Sequence, residues 1–247
     1  MSSRTRLAFG VAAALFFVAC NSSPSRSGSP ADKGARAAAA RKAEFFAGLK
    51  ARHGEAARVW NAINAALTQG VWLTEADYDV GRIRIKGRTA TNNFLADFIS
   101  RLGESPGLAS VALGGSVMKT ARGREVMEFS ISAQAIAARE NGSGPVEFPA
   151  REDMAAVLRE VQRLALGSGL KMTKFAPGVE VAAEFSRNIP VSVEVSGDRT
   201  ALASYLDGWA DLPGYWIVDK VLLRASSPDD PRSPVRVSVA ARAYFTL

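Results

Sequence analysis

The sequence is poor in the side chains that most metal and nucleophile chemistry requires. Its 247 residues include one cysteine, Cys20, and one histidine, His53. A single cysteine excludes a disulfide within the chain, and the two residues together are too few for a structural zinc site. A Ser-His-Asp triad would depend on His53 alone. We therefore predict a protein that is not an enzyme, with no catalytic residues, no metal and no cofactor.

The C-terminal three quarters of the chain have no excess of positive charge. The whole chain carries 31 Lys/Arg and 24 Asp/Glu, a net charge of +7, and residues 1–58 hold ten of the cations but three of the acids. The remaining residues are therefore neutral. A nucleic-acid-binding domain needs a basic face on the fold itself, so we expect no nucleic-acid partner. With 47% hydrophobic residues, the chain can bury a core.

Long apolar runs are also missing. The longest, residues 7–19, has 13 residues and would span about 20 Å as a helix, short of the ~30 Å hydrocarbon core. Arg4 and Arg6 precede it, as in a secretory signal peptide. The run ends in Phe17-Val18-Ala19-Cys20, which resembles the lipobox of bacterial lipoproteins, where the cysteine receives the lipid. An uncleaved anchor is the alternative.

These features predict a signal peptide over residues 1–20 and lipidation at Cys20. The protein would then be lipid-anchored on the periplasmic side of a bacterial cell envelope, with the leaflet left open. Residues 21–54 follow as a Ser/Pro/Gly-rich tether and a basic helical arm. Within that arm we expect His53 to be a solvated helix residue.

The rest of the chain has the order α-β-β-α-β-β twice. The first set covers residues 55–137 and the second 150–247, with a Gly/Pro-containing linker over 138–149. Gly87 and Gly197 are expected to end corresponding strands before the second helix of each set. Each set predicts a ferredoxin-like sandwich of the α+β class, in which a four-stranded antiparallel sheet carries two helices on one face.

One strand has a row of cations on its solvent face. Arg82, Arg84, Lys86 and Arg88 alternate with apolar residues or glycine, so all four point to the same side. They are candidates for contact with a partner, or form a solvated face that protects against aggregation. Two tryptophans that open strands, Trp72 and Trp216, are further interaction candidates, with core packing as the alternative.

The segment 112–120 ends in Lys119-Thr120 and superficially resembles a phosphate-binding loop. That motif requires glycine directly before the lysine, and Met118 stands there. We predict instead a strand with a glycine bulge.

Residues from about 56 to 136 resemble the periplasmic core of the PilN family of type IV pilus assembly proteins. The resemblance rests on Gly70-Val71-Trp72-Leu73-Thr74, on residues 83–90 and on Phe129-Ser130-Ile131.

Residues from about 150 to 246 resemble the PilO family. The matching residues are Ser168-Gly169-Leu170-Lys171, Phe175-Ala176-Pro177-Gly178, Ile189-Pro190-Val191, Val195-Ser196-Gly197 and Leu212-Pro213.

The two resemblances imply a scaffold of a type IV pilus, or of a related type II secretion machine, that acts by protein–protein interaction. Its partners would be envelope proteins of that apparatus, and a homodimer is a further expectation. The two cores are expected to dock on each other through helices or by joining sheet edges. A periplasmic small-molecule-binding lipoprotein is the alternative function.

Overall fold

The computed structural model describes residues 30–121, 123–137 and 148–246. The predicted signal peptide, Cys20 and most of the linker over 138–149 lie outside the described residues. From Ala40 onward the chain forms one compact unit. The domain boundaries at 55, 137 and 150 stay a prediction.

The structure confirms the predicted α+β class and the repeated element order. We call residues 55–135 the first repeat and residues 154–245 the second repeat. The helices are α1 (Pro30–Arg52), α2 (Glu55–Ala66), α3 (Asn92–Glu104), α4 (Met154–Gly167) and α5 (Arg199–Gly208). The strands are β1 (Val71–Asp79), β2 (Arg82–Thr89), β3 (Leu108–Ala121), β4 (Arg124–Ala135), β5 (Lys171–Pro177), β6 (Val181–Ala182), β7 (Arg187–Gly197), β8 (Tyr215–Ala225) and β9 (Val235–Phe245).

The two repeats share one continuous antiparallel sheet. Its strand order is β3-β4-β2-β1-β8-β9-β7-β5, and β6 pairs with β7. Within each repeat the order is third, fourth, second, first strand, so the two halves have the same topology. Edge strand β1 of the first repeat pairs with edge strand β8 of the second over Glu75–Asp79 and Lys220–Arg224. Both expected docking modes are therefore present: the sheet edges join, and helix α2 packs on helix α5.

The two repeats use the same local devices. Thr91 caps α3 by accepting a hydrogen bond from the backbone N–H of Phe94, and Asp198 caps α5 in the same way with Ala201. The first strand of each repeat has a bulge at an equivalent threonine, Thr74 in β1 and Thr173 in β5.

The predicted equivalence of Gly87 and Gly197 is wrong. Gly197 ends β7, whereas Gly87 lies inside β2, directly opposite Leu73. A Cβ on Gly87 would come within 2.7 Å of the Trp72 carbonyl oxygen and 2.5 Å of the Phe129 ring. Close packing, rather than the strand end, therefore requires glycine at this position.

Helices α2–α5 cover one face of the sheet and share one core with it. Both repeats contribute to that core, because Trp60 and Phe98 of the first repeat belong to the same buried cluster as Tyr205 and Trp209 of the second. The predicted pair of helices on one face of each repeat is confirmed. We call the other side of the sheet the open face.

Helix α1 ends just before α2 in a sharp elbow. Gly54 has φ of 65°, which breaks the helical path between Arg52 and Glu55. Before the elbow, the C-terminal part of α1, from residue 40 onward, packs on the open face, where Leu49 is buried against Ile217 and Tyr244. The partly buried rings of Phe45, Phe46, Phe148 and Tyr215 surround this contact.

We expected His53 to lie in a helix, but it lies in this elbow. Its Nδ1 is 3.1 Å from the backbone oxygen of Trp216, and its ring lies 4.7 Å from the ring of Tyr215. The glycine that follows it ends the helix and turns the imidazole onto the sheet.

Within the described ranges, no helix combines the length and the apolar character that crossing a bilayer requires.

Candidate interaction surface

The open face presents rows of polar side chains that cross the junction between the repeats. Because residues directly opposite on neighbouring strands point to the same face, the register defines each row. One row runs through Lys86, Glu75, Arg224 and Arg236, on four successive strands. Charges from both repeats are therefore brought side by side.

The row of cations on β2 points outward as predicted, since Ile83 and Ile85 are buried between them. Each of three cations stands opposite an acid of β1. The pairs are Arg82 with Asp79, Arg84 with Asp77 and Lys86 with Glu75. The sequence analysis missed this acidic row because β1 does not alternate regularly at its bulge.

Glu75 links the two repeats through charge. Its Oε1 lies 3.0 Å from Nζ of Lys86, and its Oε2 lies 3.4 Å from Nε of Arg224. The hydrogen bond from Lys86, with the nearby charge of Arg224, lowers the pKa of Glu75. The charge of Lys86 is thus paired with Glu75 within the molecule, at the junction between the repeats.

Arg88 and Trp72 also bind within the chain. The Arg88 guanidinium donates to Glu128 at 3.2 Å and pairs with Asp229 in the loop between β8 and β9. Trp72 Nε1 donates to the Pro228 oxygen of the same loop at 3.0 Å. Both side chains therefore tie the first repeat to a loop of the second. Lys119 reaches Glu128 at 2.8 Å, and this hydrogen bond, together with Arg88, lowers the pKa of Glu128.

The burial of Trp216 removes it from the candidate surface. It is 2% exposed, its ring lies 5.4 Å from that of Trp209, and its Nε1 donates to the Pro213 oxygen at 3.0 Å. The core-packing alternative holds for this residue, because it faces the helices rather than the open face.

Two cations of the predicted row, Arg82 and Arg84, remain exposed on the open face. Neither is within ion-pair distance of an acid in the part of the chain that the structure describes. They are the members of the row best placed to contact a partner.

The structure adds a groove that the sequence analysis did not find. It has a volume of about 500 Å³ and lies on the open face of the second repeat. Arg224 and Arg236 stand directly opposite each other there, an arrangement of like charges that is unfavourable unless an anion lies nearby. The alternation of β9 signals that Arg236 points outward, but only the pairing of β8 with β9 brings Arg224 beside it. The other lining residues are Glu194, Leu222, Ala225, Ser226 and Ser238.

A polar cluster holds the elbow at one end of the sheet. Asp219 accepts hydrogen bonds from Arg52 at 2.8 Å and from Arg242 at 2.6 and 2.7 Å. On the other side of the sheet, the Tyr78 hydroxyl donates to Glu55 at 2.8 Å. Burial and this hydrogen bond raise the pKa of Tyr78 above its usual range. The elbow is therefore held from both faces.

Further towards α5, Arg199 reaches across the junction. Its Nη2 donates to the Leu73 oxygen of β1 at 2.8 Å, and burial lowers the pKa of its guanidinium. Leu73 lies two residues before Glu75, the first residue of β1 that pairs with β8, so Arg199 extends the contact between the repeats beyond the strand pairing.

The chemistry of the surface is that of recognition. Among the described residues, no three His, Cys, Asp or Glu side chains lie close enough together to hold a metal ion. The open face offers fixed charges and hydrogen-bond donors, which give specificity in contacts between proteins.

Comparison with known proteins gives a different family match for each repeat. Residues 58–135 match the family described as fimbrial assembly protein PilN. Residues 153–246 match the family described as the type IVa pilus alignment subcomplex PilO C-terminal domain. Each match covers one repeat of the fold.

The second repeat also has a curated relative, the type IV pilus inner membrane component PilO of Pseudomonas aeruginosa. The two are 26% identical over 98 residues, which are 40% of this chain and 47% of the relative. The chain thus spans about half the length of that relative.

Two solved structures are similar as well. The crystal structure of the type 4 fimbrial biogenesis protein PilO from Pseudomonas aeruginosa is 26% identical over 40% of this chain and 73% of its own, with a TM-score of 0.37. The core region of PilO from the same organism is 28% identical over 36% of this chain and 91% of its own, with a TM-score of 0.34. The two family matches alone confirm the resemblance drawn from the residues: a match to the PilN family and a match to the PilO family lie one after the other in this chain.

Proposed function

We propose that the protein is a non-enzymatic assembly component of a type IV pilus, or of a related type II secretion machine, that acts by protein–protein interaction. The observation that carries the proposal is the continuous sheet in which a PilN-family repeat and a PilO-family repeat pair edge to edge. The curated relative is described as an inner membrane component of the pilus. A scaffold of this kind needs surfaces rather than a catalytic centre.

The joining of the repeats has a physical advantage. Two domains on one chain meet at an effective concentration on the order of mM for a short linker, so the pair does not dissociate on dilution. The ion pairs of Glu75 and the hydrogen bond of Arg199 fix the relative position of the repeats. A partner then encounters one rigid open face instead of two independent domains.

The open face is the docking surface in this proposal. Arg82 and Arg84 on the first repeat and Arg236 in the groove favour an acidic surface on the partner. Basic patches of this kind raise association rates and weaken with salt.

An envelope pull-down tests the docking surface. The full-length wild-type chain, expressed in a piliated bacterium that encodes it, is expected to recover pilus or secretion proteins. The double variant Arg82→Glu/Arg84→Glu is expected to lose them, and the matched control Arg159→Glu, an exposed cation on α4, is expected to retain them. Recovery of unrelated proteins alone, or equal recovery by both variants, contradicts the proposal.

The membrane tether is part of the proposal. The lipobox-like residues before Cys20 support lipidation, which would hold the folded part on the periplasmic side of the envelope. Metabolic labelling with a palmitate analogue should mark the wild-type protein and leave Cys20→Ser unlabelled. Equal absence of label in both, with the protein still in the membrane fraction, would support an uncleaved anchor instead.

The alternative function, a small-molecule-binding module, draws on the groove. Its volume of about 500 Å³ falls within the size range of ligand pockets, roughly 300–1,000 Å³. A thermal-shift screen with metabolites distinguishes the two functions. A scaffold gives no stabilising compound, whereas a compound whose effect is lost in Arg236→Ala would favour the alternative.

A further inference from the structure

Strand β3 is an outer strand of the sheet and carries little protection against pairing. It pairs with β4 on one side, and no strand among the described residues covers its other edge. Residues 108–118 include no charged side chain. Val117 is 61% exposed and Met118 is 53% exposed, which is unusual for large apolar residues of a strand. Such an edge is a template for another strand.

The opposite outer strand, β5, is guarded. It carries Lys171 and Lys174, and it ends in Pro177. Gly178 donates its backbone N–H to Pro190 of β7, so the preceding residue has its backbone groups on the outer side. Because Pro177 has no N–H, the outer edge of β5 lacks a donor where an added strand would need one.

The molecule already contains a covered edge of the same type as β3. Strand β8 is the third strand of the second repeat, as β3 is of the first, and β1 covers it by antiparallel pairing. That contact uses Lys220 and Arg224 opposite the acids of β1. The register on the fourth strand of each repeat places uncharged Ala112 and Val117 at the corresponding positions of β3. A strand that suits β3 is therefore uncharged.

We propose that β3 pairs antiparallel with β3 of a second copy, across a two-fold axis, to form a dimer with one sheet running through both chains. Pairing of β3 with β5 of another copy would instead create an open chain of molecules, and Pro177 with its flanking lysines opposes it. The inference does not depend on the role in the pilus.

The regular part of β3 sets the place of the contact. Its bulges lie before Gly115, so residues 115–121 form an uninterrupted edge. A two-fold axis at Val117 sets this residue opposite its own copy and Lys119 opposite Gly115. Like charges are then kept apart, and the exposed side chain of Val117 is covered.

Cysteine cross-linking tests the contact in the full-length chain in detergent. All variants carry Cys20→Ser, so that the introduced thiol is the only one. Opposite residues of antiparallel strands are about 4.5–5.5 Å apart at Cα, a distance that a disulfide accommodates. Ser116→Cys, Val117→Cys and Met118→Cys are introduced singly, and we expect at least one to give a cross-linked dimer under mild oxidation. The β5 control Lys174→Cys is expected to stay uncross-linked.

Light scattering gives the second measurement. The wild-type chain is expected to have the mass of a dimer at micromolar concentration, Val117→Lys that of a monomer, and Lys174→Glu that of a dimer. Because Val117 is exposed, the thermal unfolding midpoint of Val117→Lys should stay within a few degrees of the wild type at a concentration where both are monomers. A monomeric wild type, a dimer unaffected by Val117→Lys, or preferential cross-linking through Lys174→Cys would overturn the proposal.

Discussion

Glu75 of β1 lies 3.4 Å from Arg224 of β8 and so forms an ion pair between the two repeats at the centre of the sheet. The repeats have two further outer strands, yet only β1 and β8 carry opposite charges in matching register. Strand pairing through backbone hydrogen bonds is almost independent of sequence, so side-chain charge is what distinguishes this pairing from the others.

Replacement of Glu75 by glutamine is expected to weaken the junction. The substitution removes the charge that Lys86 and Arg224 share, and should lower the free energy of unfolding by about 0.5–1 kcal/mol, a small effect because the pairs are partly exposed. Urea unfolding measures it. Glu125→Gln, at an exposed position of β4, is the control and should cause no change. An equal loss in both variants would show that the effect is not specific to the junction.

The contribution of Glu75 should depend on pH. Its pKa in the folded state is lowered by Lys86 and Arg224, so its stabilising effect is present above the unfolded-state pKa of about 4.3 and is lost as the pH falls through the folded-state value. The difference in unfolding free energy between wild type and Glu75→Gln should therefore shrink below about pH 4. A difference that stays constant from pH 7 to pH 3 would contradict the ion-pair explanation.

Removal of the Tyr78 hydroxyl should destabilise the elbow. In Tyr78→Phe the buried carboxylate of Glu55 loses its 2.8 Å donor, at a cost of about 1–3 kcal/mol. Thermal unfolding of the single variants and of Tyr78→Phe/Glu55→Gln measures the coupling, and the double variant should lose less than the sum of the two. Strict additivity would mean that the two side chains stabilise the protein independently.

Truncation of Leu49 should release α1 from the open face. Leu49 is buried against Ile217 and Tyr244, so Leu49→Ala is expected to weaken the packing of α1 on the sheet by about 2–4 kcal/mol. It should therefore speed hydrogen exchange over residues 40–52. The neighbouring Gly48 has open space around it. Gly48→Ala is the matched control and should slow exchange, since alanine favours the helix by roughly 0.5–1 kcal/mol. Unchanged exchange in Leu49→Ala would show that other contacts hold the helix.

Much of the fold follows from local patterns in the sequence. The alternation around Ile83 and Ile85 predicts β2 and its buried side, and Thr91 and Asp198 predict the starts of α3 and α5. Because Met118 stands where a phosphate-binding loop needs glycine, the sequence predicts a strand with a glycine bulge before Lys119-Thr120, and the structure has that strand. Each of these features depends on residues within a few positions of one another, so periodicity and capping chemistry reveal them.

The candidate surface depends on residues far apart in the chain. Arg88 forms an ion pair with Asp229, 141 positions later in the chain, and Arg224 forms one with Glu75, 149 positions earlier. His53, in a helical sequence context, contacts the sheet only because Gly54 turns the chain onto it.

The sequence by itself determined the two repeats, their element order and the outward face of the regularly alternating strand β2, because side-chain burial selects these locally. Only the tertiary structure decided which edges join, which of the predicted cations remain available, and that Arg236 shares a groove with Arg224. The physical reason is that any two strand edges can exchange backbone hydrogen bonds. The choice among them is made by packing and charge between distant segments, which no local pattern records.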